Sequence, residues 1–307
     1  MDARYTLADL ERDLARLQAR YAGLIERWEF GRSVESRPLH AVRVGTGTRC
    51  VLLNASHHAR EWATTWLAVA LLWRYAHAYA TDARWDGVSV RALLDRVALV
   101  VVPVVNPDGV ELATRGPAAV GVPEAQLRAM LCRNGWERFD LWKANVRGVD
   151  LNRQYDAGWS GLRQVVDGPA AAFYPGTRPA TEPEVQAMIA LTQTLRPCAT
   201  LAYHTAGEEI YWYFGQTGER LRRDRALAEG LARLTGYRLI PEDDRSAYGG
   251  GYTDWVIATF GVPAFTLEVG REPHPVDRRQ FARIWRQNKE VPFYLLREVV
   301  LLGSGSG

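Results

Sequence analysis

Two histidines and a glutamate have the residue types and spacing of a metal site. His58 and Glu61 are three residues apart just after an apolar stretch, so one tight turn can direct both side chains toward the same point. His204 follows another short apolar stretch and could supply a third ligand. Three nitrogen and oxygen ligands leave a fourth position for water, as in catalytic zinc sites. Taken alone, the His-x-x-Glu pattern also fits a solvated helix start with a structural histidine, so the prediction depends on His204.

A further carboxylate, Glu268, could do acid–base chemistry beside such a metal. It ends the apolar stretch 264–268, and a carboxylate at the end of a buried strand is unfavourable unless it is paired or functional. Near a metal it would be the general base that takes a proton from water. Asp150 could accept a hydrogen bond from the second ring nitrogen of a ligand histidine and so fix the orientation of that ring.

Asn152 and Arg153 have the chemistry of a carboxylate-binding pair. A guanidinium can bind a carboxylate through two parallel hydrogen bonds. Such a pair beside a metal suits a substrate that carries a carboxylate. A surface turn with a salt bridge is the simpler interpretation of the same two residues.

The elements that must position these side chains follow an α/β pattern. Strands and helices alternate, which predicts one domain over residues 1–302 with a mainly parallel or mixed sheet covered by helices on both faces. Ligand sites in open α/β sheets gather at the carboxyl ends of strands, where the residues above fall. Residues 303–307, rich in glycine and serine, predict a flexible tail. Helices are predicted for 6–21, 61–79, 182–195, 219–235, 252–259 and 278–302, and strands for 39–44, 50–54, 97–104, 199–203, 209–214 and 264–268.

Composition narrows the classes of function. The 307 residues are 47% hydrophobic and 24% charged, as in an ordinary globular protein. A net charge of only +3 argues against a nucleic-acid partner, and three cysteines argue against a disulfide-stapled secreted scaffold. Neither a secretory signal nor a membrane-spanning stretch is recognisable, so we expect a cytoplasmic protein without membrane contact. Oligomeric state stays open.

Five motifs in a fixed order resemble the zinc carboxypeptidases of the funnelin, or carboxypeptidase A-like, type over roughly residues 5–300. The resemblance implies a mixed eight-stranded sheet sandwiched between helices. It also implies zinc held by His58, Glu61 and His204, with Glu268 as general base and proton shuttle. The motifs are His58-Ala59-Arg60-Glu61, Asn106-Pro107-Asp108-Gly109, Gly148-Val149-Asp150-Leu151-Asn152-Arg153, Tyr203-His204-Thr205 and Phe265-Thr266-Leu267-Glu268.

The same resemblance implies the substrate contacts. Arg153 and Asn152 would bind the terminal carboxylate of a peptide, and Arg60 would add to the path of that anion. Lys143 falls where the family usually places an arginine that polarises the scissile carbonyl. A lysine ammonium is a point charge, whereas an arginine guanidinium is planar and can form two parallel hydrogen bonds. Whether Lys143 stabilises the oxyanion is therefore left open.

A finer resemblance is to the bacterial γ-D-glutamyl-L-diamino acid endopeptidases, which cut peptidoglycan stem peptides before meso-diaminopimelate. It rests on residues 142–152, 174–177, 181–184 and 203–208. The resemblance implies a small peptide partner, and it fits an intracellular enzyme that acts on soluble muropeptides.

One loop departs from the family pattern. Digestive members carry a mobile capping tyrosine eight residues before an Asp-Trp pair, which is Asp254-Trp255 in this sequence. Ser246 stands at that spacing, and Tyr248 lies only six residues before the pair. The glycines after Tyr248 could still bring its side chain to the site, since glycine makes a loop mobile.

Three further residues are expected to set specificity. Thr253 and Thr266 would line the pocket for the residue that follows the scissile bond. A polar pocket suits diaminopimelate, which carries an amine and a second carboxylate. Arg245 could bind that distal carboxylate.

Other functions stay open at this point. A broader metallocarboxypeptidase would act on ordinary peptide C-termini. A zinc deacylase of the aspartoacylase type uses similar ligands, but the Asn-Pro-Asp-Gly and Trp-Lys-Ala-Asn segments argue against it. A binding protein on an inactive hydrolase fold would typically lack the base or a ligand, whereas His58, Glu61, His204 and Glu268 are all present.

Overall fold

A mixed eight-stranded sheet runs through the computed structural model, which describes residues 4–163, 165–243 and 249–304. The sheet order is β1-β2-β6-β3-β7-β10-β8-β9, and β4 pairs with β5 in a separate hairpin. The strands are β1 (Ile25–Arg32), β2 (Pro38–Val44), β3 (Arg49–Ala55), β4 (Arg84–Trp85), β5 (Val88–Ser89), β6 (Val97–Val102), β7 (Ala199–His204), β8 (Glu209–Tyr211), β9 (Arg238–Leu239) and β10 (Ala264–Glu268). The inner strands β6, β3, β7 and β10 are parallel, whereas β2 and β8 are antiparallel to their inner neighbours. The predicted fold class is therefore confirmed.

Helices cover both faces of the sheet, so the inner strands are apolar along their length. All six residues of β6 are buried. On one face the strands pack against α1, α2, α3, α7, α9 and α10, and on the other against α6 and α8. The helices are α1 (Leu7–Arg20), α2 (Trp62–Thr81), α3 (Val90–Arg96), α4 (Pro107–Arg115), α5 (Glu124–Arg133), α6 (Pro183–Leu195), α7 (Gly218–Thr235), α8 (Tyr252–Phe260), α9 (Phe281–Asn288) and α10 (Val291–Ser304).

Several elements differ from the sequence prediction, which lacks the strands β1, β4, β5 and β9 and the helices α3 and α4. The strand β1 is missed because it lies at the sheet edge, is only partly buried and mixes charged with apolar residues in no regular alternation. The single helix predicted over 278–302 is a short 3-10 turn, Arg278–Gln280, followed by α9 and α10. Pro292 accounts for the break, because a residue without a backbone N–H fits the first turn of a helix but not its interior.

The C-terminal helix α10 continues to Ser304, two residues past the predicted end of the domain, and residues 305–307 lie outside the described part of the chain. None of the described helices is both long and apolar enough to cross a membrane.

Candidate metal centre and substrate cleft

The parallel strands deliver the candidate residues to one edge of the sheet. His204 ends β7 and Glu268 ends β10, and the two residues are direct partners in the parallel ladder. The Val269 amide then donates to the His204 carbonyl at 2.7 Å, which keeps the two strand ends in register. Directly paired residues of neighbouring strands lie on the same face of a sheet, so both side chains point to the same side.

The turn between β3 and α2 carries His58 and Glu61. Ser56 leaves the strand with a positive φ of 49°, and its hydroxyl donates to the Glu61 carbonyl at 3.2 Å. The Asn106 side chain donates to the His57 carbonyl at 3.1 Å and to the Ala144 carbonyl at 3.0 Å. The Asn-Pro-Asp-Gly motif therefore ties this turn to the segment that carries Lys143.

Three ligand atoms converge at this edge. Nδ1 of His58 lies 3.0 Å from both Nδ1 of His204 and Oε1 of Glu61. The other carboxylate oxygen, Oε2 of Glu61, is 3.1 Å from Nδ1 of His204. Metal ligands placed tetrahedrally at roughly 2.1 Å from an ion are about 3.4 Å apart, so these separations fit one shared ion. The group is buried and is able to bind a metal.

Asp150 links the metal group to two cations. Its Oδ1 accepts from Nε2 of His58 at 3.1 Å, which leaves Nδ1 of that ring with a lone pair facing Glu61 and His204. Lys143 Nζ and Arg153 Nε lie 3.8 and 3.6 Å from its Oδ2. Complete burial by itself would raise the pKa of Asp150, but Lys143, His58 and Arg153 together lower it far below the usual range. Asp150 is therefore a charged support for the site.

Glu268 has the environment of a proton acceptor. Its Oε2 is shielded from solvent and has no hydrogen-bond partner among the described residues. Burial raises the pKa of Glu268 to about 7. The nearby His204 lowers this pKa, but repulsion from the Glu61 carboxylate offsets that effect. A carboxylate poised near neutral pH with a free oxygen can take and return a proton.

A cleft of about 240 Å³ opens beside this group. Arg153 packs over the Phe173 ring at 5.3 Å and donates to the Arg163 carbonyl, which holds its guanidinium at the cleft wall. The Asn152 side chain accepts from the Tyr252 amide at 3.0 Å, which ties it to the start of α8. Predicted residues that line the cleft are His58, Lys143, Asp150, Asn152, Arg153, Thr253, Thr266 and Glu268.

The two threonines of the predicted pocket meet in the cleft. Oγ1 of Thr253 and Oγ1 of Thr266 are 2.7 Å apart and share one hydrogen bond. Each hydroxyl keeps further bonding capacity, so the pair offers a polar surface to a ligand.

Three predicted contacts are not part of the described cleft. Arg60 does not line it, and its guanidinium lies 5.4 Å from the centre of the Trp136 ring. Tyr248 and Arg245 lie outside the described residues.

Among the lining residues that sequence reasoning missed, three have polar or charged side chains: Tyr211, Arg163 and Asp254. Tyr211 is brought in by the antiparallel pairing of β8 with β10, opposite Thr266, and no local pattern reveals that pairing. Asp254 accepts from the Gly249 amide at 2.7 Å, and burial raises its pKa to about 7. The Asp-Trp motif was a usable signal for Asp254, whereas Arg163 has none.

His57 lies behind the metal group. Its Nε2 is 3.0 Å from the Tyr155 hydroxyl, and its ring stacks on His204 with 5.6 Å between centroids. The ring belongs to the packing around His204 and adds no atom to the three that converge.

Comparison with known proteins agrees with this geometry. Residues 10–291 match the zinc carboxypeptidase family. The chain is 33% identical over 287 residues to gamma-D-glutamyl-L-diamino acid endopeptidase 1 of Lysinibacillus sphaericus, an alignment that covers 92% of this chain and 70% of that protein. It is 28% identical over 190 residues to carboxypeptidase A2 of Rattus norvegicus, covering 61% of this chain and 41% of that one.

A solved structure shares the fold. Bovine thrombin-activatable fibrinolysis inhibitor, in a complex with tick carboxypeptidase inhibitor, aligns over 99% of each chain with a TM-score of 0.74 at 17% identity. The family match and the His-Glu-His group also identify the cofactor as zinc. The chain therefore belongs to the zinc carboxypeptidase family and is a zinc-dependent metallopeptidase.

Proposed function

We propose that this peptidase hydrolyses the amide bond between γ-D-glutamate and a diamino acid, meso-diaminopimelate, in peptidoglycan stem peptides. The observation that carries the hydrolytic part is Glu268, with its free oxygen, beside the convergent atoms of His58, Glu61 and His204. The substrate is supported by the 33% identity to a gamma-D-glutamyl-L-diamino acid endopeptidase over 92% of the chain.

The proposed ligands are His58, Glu61 and His204. Two imidazole nitrogens and a carboxylate suit zinc, and three protein ligands leave a position open. Zinc held there would supply a Lewis acid and lower the pKa of a water molecule. Asp150 would keep the His58 ring in the tautomer that is protonated at Nε2, so that the unprotonated Nδ1 faces the site.

Glu268 would move the proton. Its free carboxylate oxygen accepts the proton of the attacking water and then returns it to the departing amine. Lys143, whose Nζ lies near Asp150, would stabilise the oxyanion as a point charge. Its ammonium group would then interact with both Asp150 and the substrate. Because Asp150 is buried and bonded to His58, it stays in place while the lysine moves.

The leaving residue would lie in the cleft. Arg153 and Asn152 bind its carboxylate, and the hydroxyls of Thr253 and Thr266 line the pocket for its side chain. The capping role of Tyr248 and the binding of a distal carboxylate by Arg245 stay predictions.

A second candidate is a broader carboxypeptidase that acts on ordinary peptide C-termini. The identity of 28% to carboxypeptidase A2 favours it, and both activities would use the same carboxylate-binding pair. The two activities differ in how the residue on the N-terminal side of the cut is linked, through its γ-carbonyl in the first candidate and through its α-carbonyl in the second.

A substrate comparison separates the two candidates. The zinc-loaded protein is assayed on L-Ala-γ-D-Glu-meso-diaminopimelate and on N-blocked α-linked dipeptides, before and after chelation. We expect chelation-sensitive release of diaminopimelate at a kcat/KM well above that for the dipeptides. Faster cleavage of the dipeptides would reject the muropeptide substrate and favour the broader enzyme. The expected cytoplasmic location stays a prediction, which fractionation of the native cells would test.

A further inference from the structure

Arg60 is a cation that pairs with no anion of the described residues. Among these residues its shielded Nε has no hydrogen-bond partner, and no carboxylate is within ion-pair distance of its guanidinium. The guanidinium carbon lies 5.4 Å from the centre of the Trp136 ring. A tryptophan face compensates part of the lost hydration of a cation but does not satisfy its donors.

Among the described residues, the carboxylates whose charge acts on Arg60 all lie beyond ion-pair distance of it: Glu61, Asp150, Glu268 and Glu272. Glu61 faces Nδ1 of both His58 and His204 in the metal group. Glu272 is largely exposed and lies 4.0 Å from Nε2 of His274. A half-buried guanidinium with unused donors is unfavourable unless an anion arrives from outside. The position therefore suits an anionic group of a ligand.

Arg60 and Arg153 serve different parts of the site. Arg153 packs on Phe173 and lines the cleft, whereas Arg60 packs on Trp136 outside the cleft lining. Burial, and next the charge of Arg60, lowers the pKa of His274 to about 4, so that ring is neutral and does not repel an anion. Within the described chain, two separate cationic regions thus border the metal group.

A γ-glutamyl substrate has an anion for each region. In a γ-linked glutamyl residue the scissile carbonyl belongs to the side chain, so the α-carboxylate stays free. Its carbon is four carbon–carbon bonds from the scissile carbon, roughly 5 Å along an extended chain. The leaving residue carries its own carboxylate on the other side of the bond. An α-linked peptide with an uncharged residue before the cut has no charged group at the first of these positions.

We propose that Arg60 binds the free α-carboxylate of the γ-linked glutamyl residue and so makes the enzyme selective for γ-linked substrates. This inference rests on the proposed function. Arg60 would then act on the N-terminal side of the cut, rather than on the terminal carboxylate bound by Arg153.

The test uses two tripeptides that differ in one group. One is L-Ala-γ-D-Glu-meso-diaminopimelate, and the other carries an α-carboxamide in place of the glutamyl α-carboxylate. A charge-assisted hydrogen bond predicts that the wild-type protein prefers the carboxylate in kcat/KM by about tenfold to hundredfold. Arg60→Met should lower the ratio of kcat/KM for the carboxylate tripeptide to that for the carboxamide tripeptide to about 1, because only activity on the carboxylate tripeptide falls. Arg60→Lys should restore part of the preference.

Controls keep the result interpretable. Arg222→Met, at an exposed arginine of α7, should leave the ratio unchanged. Activity of Arg60→Met on the carboxamide reports that the variant is folded. Calorimetry measures the binding of both tripeptides to the Glu268→Gln protein, which retains the substrate-binding residues. Adding Arg60→Met to that protein should remove its preference for binding the carboxylate tripeptide.

Three outcomes would overturn the inference. A wild-type ratio near 1 rejects it without any variant, and an unchanged ratio in Arg60→Met rejects it while leaving the proposed function intact. If the zinc-loaded wild type cleaves neither tripeptide but does cleave α-linked dipeptides, the proposed function fails and the inference fails with it.

Discussion

The Asp150 carboxylate contacts both the metal group and the cationic side chains of the cleft. It accepts from His58 on one oxygen and lies within ion-pair distance of Lys143 and Arg153 on the other. Its charge is maintained because these partners outweigh the effect of complete burial on its pKa. One buried carboxylate therefore contacts both the His58 ring and two cationic side chains of the cleft.

Removal of that charge should weaken the metal site. Asp150→Asn keeps the size of the side chain but loses the negative charge that orients His58. We expect zinc affinity to fall about 10- to 100-fold, as measured by competition with a chromogenic chelator. Asp224→Asn is a matched control, since Asp224 is also buried and paired with an arginine but lies outside the cleft lining. Equal zinc affinity in wild type and Asp150→Asn would contradict this role.

The turn between β3 and α2 and much of the cleft lining were predictable, whereas some residues of the cleft wall were not. His58 and Glu61 are local in sequence, and His204 and Glu268 end apolar strands, so the strand pattern and the order of the family motifs together predicted that they share one sheet edge. Tyr211 enters the cleft only because β8 pairs antiparallel with β10. The surroundings of Arg60 likewise depend on Trp136, 76 residues away in the chain, which no spacing rule connects.

The loop before Asp150 depends on a glycine. Gly148 has φ of 74°, and a Cβ there would lie 2.8 Å from the Ala170 amide nitrogen and from the sulfur of Met130. Gly148→Ala should therefore lower the free energy of unfolding by more than the roughly 1–2 kcal/mol expected for a left-handed alanine alone, and should also weaken zinc binding.

Gly87→Ala supplies the matched control for that measurement. Gly87 has φ of 77° but no atom within 4 Å of a built Cβ, so only the backbone cost applies. Denaturant unfolding of the two variants gives the difference. Equal destabilisation of both would show that the close approach at Gly148 does not constrain the loop.

At the scale of the whole molecule, the described fold buries a carboxylate away from the site. Glu184, in the first turn of α6, accepts from the Val34 amide at 3.1 Å, and its Oε2 has no partner among the described residues. Burial raises the pKa of Glu184 from 4.5 to about 7. The folded state therefore binds this proton more tightly than the unfolded state does, and stability is lost as pH rises from about 4.5 to about 7.

Glu184→Gln should remove that loss. We expect the variant to exceed the wild type in free energy of unfolding at pH 8, by up to about 3 kcal/mol, and to match it near pH 4.5. Because Asp254 and Glu268 titrate in the same range, the difference between variant and wild type at each pH is the quantity to measure. A stability difference that does not change with pH would contradict the assignment.

In the proposed mechanism, Glu268 moves the proton at a zinc site built by other residues. Glu268→Gln keeps the shape of the side chain and leaves His58, Glu61 and His204 untouched. The direct measurement is kcat on the diaminopimelate tripeptide together with zinc content of the same preparation. We predict one zinc per chain with a fall in kcat of about 10²- to 10⁴-fold. Wild-type turnover in a zinc-loaded Glu268→Gln protein would contradict the claim.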